Sequence, residues 1–238
     1  PSVTMNKKKT RLSESTLDGL ILLLPVALAI VSLSMGRYRI DPLDVIKTLL
    51  SPVIPNFAEG IPEIAQRLVL QIRIPRTLAA ILIGASFGAT GTALQAVFKN
   101  PLVDSNILGV TSGAGFGAAT AILLKGSSWQ VQLSAFLFGL VAVSLAFFGS
   151  RLYKATPLLV LTLMGILVGS LFNSLTSLLK YAADPLDALP AITFWLLGSL
   201  TSITWRNIPA LAIITLTGLA FFWLIRWRLN IISLGDDE

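Results

Sequence analysis

Six stretches of this chain, residues 19–35, 77–98, 107–124, 131–149, 157–179 and 208–225, contain no Asp, Glu, Lys or Arg. A helix that crosses hydrocarbon needs roughly 20 predominantly apolar residues, with about 17 as the lower limit. All six stretches reach that length. In lipid the backbone must satisfy its own hydrogen bonds, so the expected fold is an all-α membrane protein with six transmembrane helices. Composition agrees. Hydrophobic residues make up 54% and charged residues 13% of the 238, with a mean hydropathy of +0.80. Soluble domains carry roughly 25% charged residues.

The same counts exclude whole classes of chemistry. Lys and Arg total 18 against 12 Asp and Glu, a net charge of +6. That is too little basic charge, in too apolar a chain, for a nucleic-acid binder. Cys and His are both 0. Thiol catalysis, disulfides, imidazole metal sites, haem ligation through His and a His general base are therefore removed. No catalytic residue and no metal ligand set is expected, and the chain is read as a non-enzyme. The ATP-binding pattern GxxxxGK[ST] does not occur, so any nucleotide must sit on a partner.

Orientation is set by basic residues in short loops near helix ends. Basic residues divide evenly between the two sides. Lys7, Lys8, Lys9 and Arg11 lie just before the first stretch, and the N-terminal side packs its basic residues into shorter segments. A cytoplasmic N-terminus is expected. The first stretch is long for a signal-peptide core and no A-x-A-like cleavage site precedes Gly36, so it is read as a retained helix.

Two segments cannot span. Residues 36–76 carry Pro42, Pro52, Pro55 and Pro62, which predicts short outer helices and turns. Residues 192–200 are apolar but too short, and read as a helix dipping into the outer half of the bundle against protein or a cavity.

Helices in lipid approach closely through small residues. Gly84 and Gly88, then Gly109, Gly113 and Gly117, then Gly165 and Gly169 repeat at four-residue spacing and are expected at helix contacts. Some of them could instead face a pore. Polar residues inside the stretches are neutral: Thr90, Thr92, Gln95, Ser112, Gln132, Asn173, Ser174 and Ser177. With no intramembrane charge, a proton-coupled carrier or voltage sensor is disfavoured. A path lined this way suits a large, chelated or neutral cargo, with energy supplied from elsewhere.

Four ordered motifs sharpen this. Arg73-Ile-Pro-Arg76 immediately precedes the second stretch, and Gly84-Ala-Ser-Phe-Gly88-Ala-Thr-Gly91 follows within it. Gln95-Ala-Val-Phe-Lys-Asn100-Pro101-Leu102 and Leu108-Gly109-Val-Thr-Ser-Gly113-Ala-Gly115 come next. Phe194-Trp195-Leu-Leu-Gly198 and Leu229-Asn230-Ile-Ile-Ser-Leu234-Gly235-Asp236 lie further on. The set resembles the FecCD family of ABC-transporter permeases, importers of iron–siderophore complexes, haem and cobalamin. The resemblance implies a ten-helix inner-membrane subunit, a homodimer around a central path, two cytoplasmic ABC ATPases and an extracytoplasmic substrate-binding protein. No cofactor is expected on this chain; ATP belongs to the partner. Residues 1–238 then form a single permease domain, C-terminally truncated where the ATPase-coupling region starts at Leu234 and Gly235. Such a chain alone is not expected to stimulate ATP hydrolysis.

By the same resemblance, Arg73 and Arg76 dock the binding protein, although anchoring at lipid headgroups would use the same side chains. Asn100, Leu102 and Thr156 lie at the inner gate. Plain helix termination is the competing reading there, since Asn100 can adopt a left-handed cap before Pro101. Phe194, Trp195 and Gly198 flank the path, with an interfacial aromatic belt as the alternative for Trp195. The rival function is a non-transporting membrane scaffold or assembly subunit.

Overall fold

The computed structural model describes residues 14–54, 57–101, 103–104, 106–152 and 157–234. Among the described residues every regular element is a helix, and there are no strands. In order these are α1 (Glu14–Ser34), α2 (Pro42–Leu50), α3 (Glu63–Arg67), a π-helical segment (Leu68–Arg73) and α4 (Ile74–Phe98). They continue as α5 (Val110–Leu123), α6 (Ser128–Ser150), α7 (Pro157–Ala182), α8 (Ala188–Leu197) and α9 (Ile208–Leu234). Helices occupy all six apolar stretches. Among the described residues, four helical segments are long and apolar enough to cross a membrane: Glu63–Phe98, Ser128–Ser150, Leu158–Ala182 and Ile208–Ile232.

The third stretch is shorter than expected because Gly109 takes a left-handed φ of 72° and α5 starts only at Val110. The turn before it is fixed by Asp104 Oδ1, which accepts from the Asn106 backbone N–H at 2.9 Å. The short helix expected at residues 192–200 also shifts, to Ala188–Leu197. Pro190 is tolerated in its first turn, where a backbone N–H has no helical partner. Gly198, at φ +69°, ends it. The sixth stretch extends as α9 to Leu234, carrying Arg226 and Arg228 within the helix.

The chain divides into two compact units. The first comprises Pro1–Ala80 and Ile203–Pro209. Its core joins Leu33, Ile40, Val45, Ile61, Ala65 and Val69, so the end of α1, α2, α3 and the π-helical segment share one apolar centre. Asp41 caps α2 by accepting from the Leu43 N–H at 2.8 Å. Gln66 Nε2 donates to the carbonyls of Ala58 at 3.3 Å and Ile61 at 3.0 Å, which ties down the preceding turn.

The second unit comprises Ile81–Ser202 and Ala210–Glu238. Here α5, α6 and α7 pack on one another, with Ala142, Ala146, Val168 and Phe172 buried among Phe116, Phe138 and Met164. The Phe116 and Phe138 rings meet edge-on with centroids 5.1 Å apart, and Phe172 sits 5.5 Å from Phe116. Ile192 of α8, fully buried, packs against Ala119 and Ala183. The non-spanning helix is therefore held by protein, as its backbone in lipid requires.

Candidate functional site

The first unit gathers Arg37, Arg73 and Arg76 around a cavity of about 330 Å³, with Tyr38, Leu68 and Ile72. Two features of the sequence build it. Pro75 has no N–H, so a regular helix through this point would lose a hydrogen bond and meet a ring clash. The chain answers with a π-helical turn. The Ile74 N–H reaches back to the Val69 carbonyl, and the next bond in that register would need an N–H from Pro75. The Leu70 carbonyl, left over, accepts instead from the Trp205 indole N–H at 2.7 Å. A π-turn of this kind often marks a functional segment.

Arg73 is the last residue of that turn. Its guanidinium donates to the Leu33 carbonyl at 2.5 Å and to the Tyr38 carbonyl, so it fastens the end of α1 and the following turn. Gly36 lies under the same group: a Cβ there would be 2.9 Å from Arg73 Nη2. Arg73 is thus partly committed inside the unit. Arg76 is half-buried at the same cavity, and Arg37, which no motif marks, is exposed beside them. Its signal in the sequence is its place just after the first apolar stretch, on the side where Arg73 precedes the second.

Of the residues expected at an inner gate, Asn100 is exposed just past the end of α4, and its N–H donates to the Gln95 carbonyl at 3.2 Å. The left-handed residue is Lys99, at φ 49°, rather than Asn100. The reason is Pro101: the residue before a proline is pushed toward extended conformations, so the reversal moves one position back. Leu102 and Thr156 lie outside the described residues, as does Gly235; Leu234 is the last residue of α9.

The glycines separate into two sets. A Cβ at Gly113 would stand 2.6 Å from the Phe138 carbonyl oxygen, and one at Gly109 would stand 3.0 Å from the Gly165 oxygen. Cβ atoms at Gly117 and Gly165 would run into the Ser134 and Ile107 carbonyls, and Gly169 faces Gly109 with its Cβ position 3.5 Å from Cα. Only glycine allows α5, α6 and α7 to approach so closely. Gly84 and Gly88, expected at a helix contact, have nothing within 4 Å of their Cβ positions. Gly88 instead lines a cavity of about 780 Å³ between α4 and α9, with Ala89, Thr92 and Trp223.

On α8, Phe194 is exposed, Trp195 is less so, and Gly198 terminates the helix. The adjoining Leu196 closes one side of a second, polar cavity of about 340 Å³ formed with α5 and α7. Its lining includes Ser112, Asn173 and Ser177, placed among the neutral polar residues by sequence, together with Thr176 and Lys180. Lys180 stands one residue beyond the fifth apolar stretch, so a search within that stretch passes over it. The spacing of 173, 177 and 180 on one helical face is the signal that finds it.

Comparison with known proteins gives this arrangement a lineage. The sequence model of the FecCD transport family matches residues 22–238. The molybdate import system permease protein MolB of Haemophilus influenzae is 36% identical over 222 residues, 93% of this chain and 65% of that protein. A probable iron chelatin transport system permease protein of Helicobacter pylori is 36% identical over 171 residues, 72% of this chain and 51% of its own length. The vitamin B12 import system permease protein BtuC of Klebsiella pneumoniae is 31% identical over 237 residues, covering 98% and 66%. A solved structure, described as an inward-facing conformation of a protein assigned to the metal-chelate type of ABC transporter, superposes with a TM-score of 0.77. It is 34% identical, with 94% of this chain and 66% of that one covered. The chain thus spans about two thirds or less of the length of these relatives. On the match across residues 22–238, this chain belongs to the FecCD transport family.

Proposed function

We propose that this chain serves as the membrane-embedded permease subunit of an ATP-binding-cassette importer that moves a metal complex or related solute across the inner membrane. The observation that carries this reading is the family match over residues 22–238, laid on a described structure of apolar helices. The relatives' names speak of molybdate, iron chelatin and vitamin B12 import. An iron chelate such as a siderophore complex, haem or cobalamin fits the same scheme, because a cargo that arrives chelated needs no His or Cys ligands along its path.

In this reading the subunit pairs with a second copy, a cytoplasmic ATPase binds and hydrolyses ATP, and an extracytoplasmic binding protein delivers cargo. The N-terminus is cytoplasmic, and the arginine cavity faces outward. Guanidinium groups form bidentate bonds to carboxylates and steer charged partners to the surface. Arg73 holds the docking surface in shape while Arg76 and Arg37 present charge to acidic side chains of the binding protein. Closure of the ATPases shifts the permease between outward and inward access, which requires that each state make contacts the other lacks.

The test is ATP-driven uptake into proteoliposomes holding the importer assembled on this chain, its ATPase and its binding protein. Accumulation that stops without ATP or without the binding protein supports the reading. Assembly of the same complex with no accumulation favours the scaffold. Within an active importer, Arg76→Glu should abolish stimulation by the binding protein while helix content is kept. Undiminished uptake would remove the docking role.

A further inference from the structure

The polar cavity between α5, α7 and α8 has a donor set more specific than its residue types imply. Three of its hydroxyls already donate inside the protein. Thr111 Oγ1 donates to Asn106 Oδ1 at 2.7 Å, Thr176 Oγ1 to the Phe172 carbonyl at 2.8 Å, and Ser177 Oγ to the Asn173 carbonyl at 3.0 Å. The remaining donors are Ser112 Oγ, Asn173 Nδ2 and Lys180 Nζ. None of these makes a hydrogen bond or ion pair among the described residues. Among the described residues, no carboxylate lines the cavity. Three uncommitted donors, one of them cationic, therefore face one space without a fixed negative charge.

Such a space discriminates by charge and by atom type. An ammonium without a partner is costly to desolvate, and it is best satisfied by an oxygen that carries negative charge. A cationic solute is repelled by Lys180. A solute without charge leaves Lys180 unpaired as water is displaced. An anion rich in acceptor oxygens satisfies all three donors together. Leu196 supplies an apolar wall: a Cβ on Gly115 would lie 2.9 Å from its Cδ2, so α8 rests on α5 at that point.

Resting on the importer reading above, we propose that this cavity is a recognition station on the cargo path for an oxygen-rich anion. Lys180 supplies the charge, and Ser112 and Asn173 supply oriented hydrogen bonds. At about 340 Å³ the cavity takes a small oxyanion whole, or the anionic oxygen edge of a larger chelate. Both sources share one chemistry, oxygen-borne negative charge, and transport distinguishes them.

The experiment uses proteoliposomes containing the importer assembled on this chain. It measures ATP-driven uptake of three probes: molybdate, a ferric tris-catecholate and cyanocobalamin. Dependence of molybdate uptake on Lys180 identifies a free oxyanion as cargo, and dependence of tris-catecholate uptake identifies a chelate. For the imported anion, Lys180→Gln should lower uptake about tenfold or more, as the loss of one charge-assisted hydrogen bond predicts. Lys180→Arg should restore it to within about threefold, since charge is kept while geometry changes. Asn173→Leu should lower it by a smaller factor. Assembly with the ATPase, followed by gel filtration, verifies that each variant is folded. An imported anion indifferent to both Lys180→Gln and Asn173→Leu overturns the station and leaves the importer reading standing. Import of cyanocobalamin alone does the same. ATP hydrolysis without uptake of any probe removes the importer reading, and this inference with it.

Discussion

Two cavities in the second unit form a natural contrast. The one between α4 and α9 is the larger, about 780 Å³, and is walled by small side chains of α4 and by Phe222, Trp223 and Trp227. The one between α5, α7 and α8 is less than half that size and is walled by hydroxyls, an amide and an ammonium. Volume alone would select the first. Chemistry selects the second, because uncommitted donors need a ligand or water, whereas an apolar groove is satisfied by any hydrocarbon. The helices behind them differ in the same way. Within an 18-residue apolar window of α6 and of α7, 28% of residues are buried in this chain, against 6% in the window of α9. A repeat of small residues at four-residue spacing occurs on α4, α5 and α7. It brings α5 and α7 together and leaves the face of α4 open, so the motif marks a capacity for close contact rather than the contact itself.

The largest effect should come from the closed side of that contrast. Gly165→Leu would drive a side chain into the Ile107 backbone, which cannot yield as a flexible side chain does. Overpacking of this kind costs about 3 kcal/mol or more. Thermal unfolding in detergent, followed by tryptophan fluorescence, should show a large drop or loss of monodisperse protein. Next comes Arg73→Gln in the first unit, which removes donors to Leu33 and Tyr38 and should cost about 2 kcal/mol. Amide exchange over residues 33–40 should accelerate, whereas Arg37→Gln should leave it unchanged. Equal acceleration by both would mean that Arg73 is not the clamp.

Smaller changes sharpen the picture. Trp205→Phe leaves the Leu70 carbonyl without its indole donor and should cost about 1 kcal/mol. Ser134→Ala removes a 2.7 Å hydrogen bond to the Gly117 carbonyl. Interhelical bonds of that type average about 0.6 kcal/mol, so the shift should be just measurable. Gly88→Leu should be smallest, within about 0.5 kcal/mol, because nothing stands within 4 Å of its Cβ position. A drop at Gly88 matching that at Gly165 would erase the distinction between the two helix sets.

Much of this architecture is legible in the sequence, and the parts that are not share a cause. Charge-free apolar runs place helices at all six positions because hydrocarbon permits few alternatives. Motif order identifies the family. What periodicity cannot supply is the identity of each partner across a helix face. Gly84 and Gly113 look alike as letters, yet only Gly113 meets a carbonyl. Arg73 and Arg76 look like a matched pair, yet Pro75 between them forces a π-turn that commits Arg73 to two carbonyls. Asn100 has the residue type of a left-handed cap, but Pro101 passes that role to Lys99. Lys180 falls just outside an apolar stretch, so the charge-free run alone does not reveal the cation that gives the polar cavity its sign.

The absence of cysteine permits a direct test, since every thiol introduced is the only one in the chain. The measurement compares Asn173→Cys, in the polar cavity, with Ala93→Cys, in the apolar groove, within the importer assembled in membranes. Each is exposed to a negatively charged, membrane-impermeant thiol reagent. If α5, α7 and α8 line the aqueous path, Asn173→Cys reacts readily, the imported anion protects it, and Ala93→Cys stays unmodified. Rapid modification at Ala93→Cys with none at Asn173→Cys would place the path in the other groove and contradict the account.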